Sequence, residues 1–553
     1  MSSSDPVKMV TIREVPGKGK GLVAAQKIPK GTRLLSEEPI IRIPEDAPDN
    51  PSLRASIRRQ VESLTDEQRR SFLDMHNTYP GSMSTNSPSH YLGIIRTNAL
   101  PMDDTTECGI FLSACRINHA CDNNAQKGWN EAIKRHTIHA LRDIDKDEEI
   151  TISYLGVIKN RKARQEDIQR KFGFTCSCRL CSLPPHLSAE SDRRLDEILK
   201  LDGLIGKAGV LGTIITAPKR VLRHVDQQIQ LYNEQGPSDA GLSRAFFDAA
   251  QIAAINGDLA RARVFAERAA SAWLVAEGAD NPIVLKAKAF AQDPSTYDIY
   301  GFSTAWKTSV DDIPHDLDAT EFEDWLWRRE KRHEPGQPVD LRNRATFPSF
   351  MELPDENDVD EDFFKSNDGV NYKPRRHWCF LAEIVDYGAL LRLQMTIKDV
   401  SGETLPLFFH TDGRGGEISP SQTHKGYTVA ILYAQQHAFA FSEPGIRHED
   451  PPLIKIFPIS LDNLLALSDR VQRFSSTKDQ IRTCHGCDKR ATCLKNCARC
   501  SMFWYCDADC QKVGWLDKGH KADCKLLQDG DLKGLFSLNW DEFQDFIKFP
   551  LRP

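Results

Sequence analysis

Arg116-Ile117-Asn118-His119-Ala120-Cys121-Asp122-Asn123-Asn124 and, further along, Phe172-Gly173-Phe174-Thr175-Cys176-Ser177-Cys178-Arg179-Leu180-Cys181 are the stretches on which the reading of this chain turns. The second packs three thiols into a C-x-C-x2-C run. Tetrahedral zinc takes four ligands, so the run is one short, and Cys121 is the natural fourth. A metal held by Cys121, Cys176, Cys178 and Cys181 would tie the two stretches together and force Phe172 and Phe174 over Asn118 and His119. An isolated C-x-C is often ordinary buried cysteine. The Asn-His-x-Cys upstream is what turns this one toward metal.

A chain of 553 residues should hold several domains, about three to five at roughly 100 to 200 residues each. With 27% charged residues and a net charge of −6, it reads as soluble and not as a general polyanion binder, which disfavours nucleic acid as the main partner. The start, Met1-Ser2-Ser3-Ser4-Asp5-Pro6-Val7-Lys8, lacks the apolar core of a signal peptide, and no apolar run is long enough to span a bilayer. The expectation is an intracellular protein of the nucleus and/or cytoplasm with no membrane partner. Its 15 cysteines gather mainly in two short regions, which in a reducing compartment favours metal sites over disulfides.

The organisation expected is multidomain α+β. Short strands with glycine turns run from about Val10 to Ile41, and a helical insert spans roughly Pro51 to Asn77, with Leu64-Thr65-Asp66-Glu67-Gln68 suggesting a cap. Strand character returns at Thr137–Leu141 and Glu149–Tyr154, so a β-rich module covers residues 8–185. Residues 186–300 are helical and alanine-rich. Ala245–Ile255, a turn at Asn256-Gly257-Asp258, and Leu259–Val275 read as a helix pair, either one tetratricopeptide-type hairpin or a bundle bracing the first module. Residues 301–376, with the acidic run from Leu353 to Asp362, read as a linker or loosely ordered insert. Residues 377–465 are strand-rich, with a small β-barrel of the oligonucleotide/oligosaccharide-binding type as one reading. A second cysteine region fills 484–524, and 525–553 is left as a C-terminal tail.

The first 185 residues or so resemble SET-domain methyltransferases, which implies a SET fold with a post-SET zinc site. By that resemblance Gly17-Lys18-Gly19-Lys20-Gly21-Leu22 lines the S-adenosylmethionine pocket, making Lys18, Gly19 and Lys20 cofactor contacts. Asn118 and His119 match the family's Asn-His pair, which holds the adenine and amino-acid portions of the cofactor. Glu148-Glu149-Ile150-Thr151-Ile152-Ser153-Tyr154 matches the acidic pair and catalytic tyrosine, and Asn98 falls where related enzymes carry a further cofactor-contacting asparagine. Tyr154 and Phe174 would wall the lysine channel, while Phe172 or Phe174 stacks on adenine. The usual Asn-His-Ser-Cys-x-Pro-Asn is here Asn-His-Ala-Cys-Asp-Asn-Asn, and a common glycine before the acidic pair is Asp147. Neither change removes a group from the proposed chemistry.

Cys484-x2-Cys487, Cys497-x2-Cys500, Cys506-x3-Cys510 and His520-x3-Cys524 supply eight ligands, enough for two tetrahedral zincs. Phe503-Trp504-Tyr505-Cys506 and Cys510-Gln511-Lys512-Val513-Gly514-Trp515 closely resemble a MYND finger. In that family the ligand pairs interleave, which implies Cys484, Cys487, Cys506 and Cys510 on one zinc and Cys497, Cys500, His520 and Cys524 on the other. Cys493 is left over as an alternative ligand. MYND fingers dock short peptides, and Gln511 and Trp515 match their groove residues. SMYD-type methyltransferases carry the finger inside the SET domain, whereas here it lies far downstream, as in fungal SET proteins.

The expectation is an S-adenosylmethionine-dependent protein-lysine N-methyltransferase, acting on a histone or nonhistone lysine, with about three zincs per chain and a finger that recruits a protein partner. The rival is a nonenzymatic adaptor with a degenerate SET module working through MYND–peptide contacts.

Overall fold

A computed structural model describes residues 9–551, apart from 80–86, 103–105, 157–158, 209–210, 237–240, 305, 330–336, 358, 361, 367–369 and 478–479. The start at residues 1–8, on which the signal-peptide expectation falls, therefore lies outside the described residues, as do two positions of the acidic run, 358 and 361. The chain divides into two compact units, Met1–Phe322 and Glu323–Pro553. Among the described residues no helix is long and apolar enough to cross a membrane.

The first unit opens with the hairpin β1 (Val10–Val15) and β2 (Gly19–Ala24), followed by β3 (Arg33–Glu37) and β4 (Ile41–Pro44). Then come α1 (Pro51–Ser63), α2 (Asp66–Leu73), α3 (Pro88–Asn98), β5 (Leu100–Met102), β6 (Glu107–Ile110), β7 (Asn118–His119), β8 (Ala125–Asn130), β9 (Arg135–Ala140), β10 (Glu149–Ile152) and α4 (Arg161–Phe172). Three small sheets result, ordered β1-β2-β10-β7, β3-β9-β8 and β4-β6-β5. The decisive pairing is parallel: Thr151 stands opposite Asn118 and Ile152 opposite His119.

Local chemistry accounts for the insert. Asn50 accepts from the Leu53 N–H with Pro51 at the first helical position, and Thr65 with Gln68 forms a reciprocal capping box at α2, so a side chain takes up an orphan amide at each helix start. Ile57, Val61, Phe72, Tyr91, Ile94 and Ile95 then bury against Ile41, Ile43 and Ile110. Each such aliphatic side chain contributes about 1.5–3 kcal/mol on burial. A neighbouring core gathers Leu22, Ile28, Phe111, Ile117, Ile138, Ile150 and Ile152 beneath the strands that carry the candidate site.

Six helices complete this unit: α5 (Pro185–Ala208), α6 (Leu211–Thr216), α7 (Pro218–Gln235), α8 (Leu242–Ile255), α9 (Leu259–Glu277) and α10 (Pro282–Gln292). The expected helix pair is α8 and α9, packed through Ala249, Ala253, Ala262, Ala266 and Ala269, all fully buried. Asp258 accepts from the Arg261 N–H to start α9. Beyond α9, Asp280 takes both guanidinium nitrogens of Arg33 on β3 and accepts from Asn130 Nδ2 on β8 at 3.2 Å. These helices thus brace the sheet, as one of the two sequence readings has it.

The second unit follows α11 (Ala319–Leu326), in which the division falls. After the small hairpin β11 (Phe364–Ser366) and β12 (Tyr372–Pro374) come six strands, β13 (Cys379–Ala389), β14 (Leu393–Asp399), β15 (Thr404–Phe409), β16 (Thr428–Leu432), β17 (Ile446–His448) and β18 (Ile454–Phe457). They are ordered β17-β15-β14-β13-β16-β18, antiparallel except for β15 with β17. Every strand sends side chains into one apolar interior around Phe380, Met395, Leu407, Ile431, Ile446 and Ile456. The other face of β13 and β16 packs on α12 (Leu461–Ser475).

Two expectations need correcting here. Residues 301–376 are not simply a linker: Val339, Leu341, Phe347 and Leu353 are at most 3% exposed, and the Val339 N–H donates to the Phe536 carbonyl at 2.8 Å. Nor is 525–553 a tail. Trp540 is fully buried, its Nε1 donating to the Leu535 carbonyl at 3.1 Å, and Leu551 is 5% exposed with its N–H on Asp531. Leu532, Leu535 and Phe536 are buried at helical spacing over Gly530–Ser537, but in 339–353 and 540–551 the buried apolar residues come singly, in neither a helical nor a strand period, and leave no periodic mark on the sequence.

Candidate functional site

The Asn118-His119 pair is placed by backbone capping. Glu37 on β3 accepts from the N–H groups of Ser113 and Ala114, at 3.1 and 2.8 Å, fixing the turn that feeds into β7. From β10, Glu149 accepts from Asn118 Nδ2 at 2.9 Å through one oxygen and from Lys18 Nζ at 2.6 Å through the other. Gly21 makes this approach feasible: a Cβ there would lie 2.7 Å from Asn118 Nδ2 and 3.2 Å from Glu149 Oε1. Lys20 bonds instead to Asp74, at 2.6 Å, on the helical insert. That lysine, followed by Arg116, holds the Asp74 carboxyl below its ordinary range.

Asn124 also ties these strands together. It accepts from the Thr151 N–H at 2.8 Å and donates to the Glu149 carbonyl at 2.9 Å. Glu148 receives Arg142 and Asn124, and those donors outweigh burial to keep its carboxyl low.

His119 is 4% exposed and burial pushes its ring down to about 4, so it is neutral. Its Nδ1 lies 3.1 Å from the Tyr154 N–H, which can only donate. In the neutral ring the proton is therefore on Nε2, which faces Cys121 Sγ at 3.3 Å. One imidazole thus connects the Tyr154 segment to the thiol cluster. The Tyr154 hydroxyl donates to the Ile117 carbonyl at 2.8 Å. Burial first, then the charges of Cys115 and Glu149, push its phenol far above the ordinary range. It is a neutral hydrogen-bonding group, not a base.

Helix α4 delivers the two phenylalanines. Phe172 is its last residue, and Gly173 follows in the left-handed conformation at φ 74, which an L side chain adopts only with strain. The reversal sets Phe172 against Tyr154, with ring centroids 4.9 Å apart, and Phe174 beside His119 at 6.3 Å. Phe174 remains 37% exposed.

Asn118, His119, Tyr154, Phe172, Phe174, Lys18 and the Gly19–Gly21 strand start are thus linked by bonds, ring contacts or strand pairing. Asn98 is not among them. Its Nδ2 donates to the carbonyls of His76 and Ile94, both at 2.7 Å. The sequence reading did not single out Asn124, Glu37 or the bridging role of Glu149, whose individual residue types are common and whose partners lie far away along the chain.

All twelve expected metal ligands fall into three groups of four: Cys121, Cys176, Cys178 and Cys181; Cys484, Cys487, Cys506 and Cys510; Cys497, Cys500, His520 and Cys524. Within each, the ligand atoms lie within 4.8 Å of one another. Zinc–sulfur bonds of about 2.3 Å in a tetrahedron set sulfur atoms about 3.8 Å apart. The observed separations include Cys121–Cys181 at 3.5, Cys487–Cys506 at 3.7, and Cys497–Cys524 at 3.9 Å. The donor sets fit zinc. Within the first cluster the thiols already hydrogen-bond to one another, with Cys121 Sγ 3.5 Å from Cys181 Sγ and 4.0 Å from Cys176 Sγ. Cys493 is exposed and belongs to none of the groups.

In the finger, β19 (Arg482–Thr483), β20 (Arg490–Ala491), β21 (Lys495–Asn496) and β22 (Trp504–Tyr505) precede α13 (Ala508–Leu516), α14 (His520–Leu526) and α15 (Gly530–Ser537). Asp507 caps α13 by accepting from the Cys510 N–H at 2.8 Å. Gln511 is exposed on that helix, and the Arg499 guanidinium stands 5.7 Å from the centre of the half-buried Trp515 ring. Cys484, Cys497, Cys500 and Cys524 share one apolar core with Leu341, Leu381, Leu432, Phe457 and Trp540. The finger is continuous with the sheet and α12.

A β-rich module in which an Asn-His pair, a partly buried tyrosine and a cysteine cluster converge defines a SET domain, here accompanied by a MYND finger. The SET domain model matches residues 19–155 and the MYND finger model residues 484–524. Histone-lysine N-methyltransferase set5 of Schizosaccharomyces pombe is 30% identical over 317 residues, covering 57% of this chain and 92% of that protein. SET domain and MYND-type zinc finger protein 6 of the same yeast is 37% identical over 78 residues, or 14% of this chain and 16% of that one. Histone-lysine N-methyltransferase Smyd1 of Mus musculus is 30% identical over 109 residues, 17% of this chain and 22% of that one. A crystal structure of the SET domain of LSMT bound to lysine and AdoHcy aligns at 10% identity and a TM-score of 0.24, over 52% of this chain and 88% of that chain; so slight a likeness carries no weight. The chain belongs to the SET-domain methyltransferase family that includes set5.

Proposed function

We propose that this chain is an S-adenosylmethionine-dependent protein-lysine N-methyltransferase of histone or nonhistone substrates, and that its MYND finger recruits the substrate or a regulatory protein through a short peptide. The observation that carries this reading is the convergence of Tyr154, Asn118, His119, Phe172 and Phe174 beside the first cysteine cluster.

The cofactor would supply a methyl group on a sulfonium, and transfer is an in-line displacement in which the lysine nitrogen bonds to that carbon as the carbon–sulfur bond breaks. Lys18, Gly19, Lys20, Asn118 and His119 would hold it, with Phe172 or Phe174 on the adenine. A free lysine has a pKa of about 10.4, so its neutral form is scarce at pH 7. Rings of Tyr154, Phe172 and Phe174 desolvate the amine and favour the uncharged nucleophile. Because the Tyr154 O–H already donates to the Ile117 carbonyl, its oxygen remains free to accept from the amine and aim the lone pair. Names of relatives carrying "histone-lysine" support a histone lysine as the first substrate to try. On this reading the protein works in the nucleus or the cytoplasm.

The test is transfer from labelled S-adenosylmethionine into a proteome extract. Wild type should label discrete proteins, and Tyr154→Phe should lower the rate about 100-fold, the cost of one oriented hydroxyl at a reacting centre. No labelling by wild type, or none lost in Tyr154→Phe, would sink the reading.

A further inference from the structure

Arg164, in the first turn of α4, is 1% exposed. Its Nη1 donates to the Lys159 carbonyl, its Nη2 lies 3.9 Å from Cys181 Sγ, and its Nε has no partner. Among the described residues no carboxylate pairs with it. The arginines behind the finger differ: Arg470 is bidentate to Asp523, and Arg473 bonds to Asp488. A buried guanidinium without a counter-charge is strongly unfavourable. Four thiolates on one Zn2+ leave an excess of negative charge, and that excess here would sit against Arg164.

We propose that Arg164 is the counter-cation of the metal centre formed by Cys121, Cys176, Cys178 and Cys181, a positioning residue without which zinc binds there weakly. The neighbouring Gln165 strengthens the link, its Nε2 donating to the Cys176 carbonyl at 2.7 Å and its Oε1 accepting from the Cys176 N–H at 2.9 Å. Arg164 and Gln165 grip the ligand loop, while Phe172 ends the same helix against Tyr154. A single rigid element therefore connects the charge balance of the metal with the wall of the candidate lysine channel.

The inference rests on zinc at the first cluster and not on methyl transfer. The full chain is loaded with zinc, and its release to a chromophoric chelator is followed for wild type, Arg164→Met and Arg164→Lys. Wild type should carry three zincs. In Arg164→Met one of them should leave about 10- to 100-fold faster, the usual cost of removing an outer-shell partner, while the other two keep their wild-type rates. Arg164→Lys, which restores the charge but not the fork, should recover most of the retention. Unchanged release in Arg164→Met, or equal acceleration in both variants, overturns the proposal. Only two zincs in wild type, with neither lost in Cys121→Ser, would instead refute metal at the first cluster and overturn the proposal. Should Arg164→Met fail to fold, Arg164→Lys alone decides: retention near wild type supports the charge role, and loss of the first zinc rejects it.

Discussion

Cys121 lies in one segment and its three partner thiols in another, with three strands and a helix between them, whereas the finger's eight ligands follow one another within Cys484–Cys524. The donors are nearly the same and the construction is opposite. The first centre joins distant segments and so organises a site, and its surroundings are polar and ring-bearing: His119, Arg164, Phe174. The finger's ligands are local, yet four of the cysteines lie in the apolar core of the second unit beside Leu341 and Trp540. Metal in one place would join the segments that carry the candidate site; in the other it would complete a hydrophobic interior.

Removing one ligand from each separates the two roles most sharply. Cys121→Ser should lose one zinc of three and reduce transfer beyond 100-fold, roughly, as the Phe172–Tyr154 contact goes slack. Cys524→Ser should also lose one zinc but raise amide exchange in β16 and β18, strands that carry no ligand. Exchange confined to residues 484–524 would show that the finger folds independently and break the comparison.

Acid should reach both units by a shared device. His136 and His139 in the first unit are held down at about 3 and about 4, and His448 in the second at about 4, in each case chiefly by burial. Their unfolded value is about 6.5, so between pH 6.5 and about 4 the unfolded chain binds more protons and stability rises with pH. It is lost as pH falls through that window. Denaturant midpoints recorded from pH 7 to pH 4 should decline for probes in both units; a flat profile would refute the assignment of neutral buried imidazoles.

Trp540→Ala should destabilise the second unit by about 3–5 kcal/mol, the cost of emptying a large buried site, read from guanidinium unfolding. A change below 1 kcal/mol, roughly a surface effect, would return residues 525–553 to the status of a tail. Gly21→Ala is the mildest change. The added methyl meets Asn118 and Val15 at 2.7 Å, so a cost of about 1–3 kcal/mol is expected, with weaker cofactor binding by calorimetry. Binding equal to wild type would remove Asn118 and Glu149 from the candidate pocket.

Much of this arrangement was legible beforehand because it is carried by residue types with narrow uses. Cysteines at fixed spacing, the Thr65–Gln68 box and the alanine-rich pair at α8 and α9 each announce themselves locally. Glu149, Asn124 and Glu37 do not: a carboxylate or amide gains its meaning from a partner that only the fold supplies. Asn98 stands apart from the linked group because a helix-terminal asparagine can satisfy its amide on nearby carbonyls, as it does with His76 and Ile94. Residues 339–353 and 540–551 were missed because their buried side chains are isolated between turns.

The parallel pairing of β7 with β10 sets an order of events during synthesis. Asn118 and His119 cannot find Thr151 and Ile152 until the intervening hairpin β8–β9 has been made, and the thiol cluster cannot close until Cys181 has left the ribosome. Contacts between such distant segments form slowly, since the loop must close before it is rewarded. The nascent chain therefore exposes Cys121 without its three partner thiols for longer than any finger ligand waits for its neighbour.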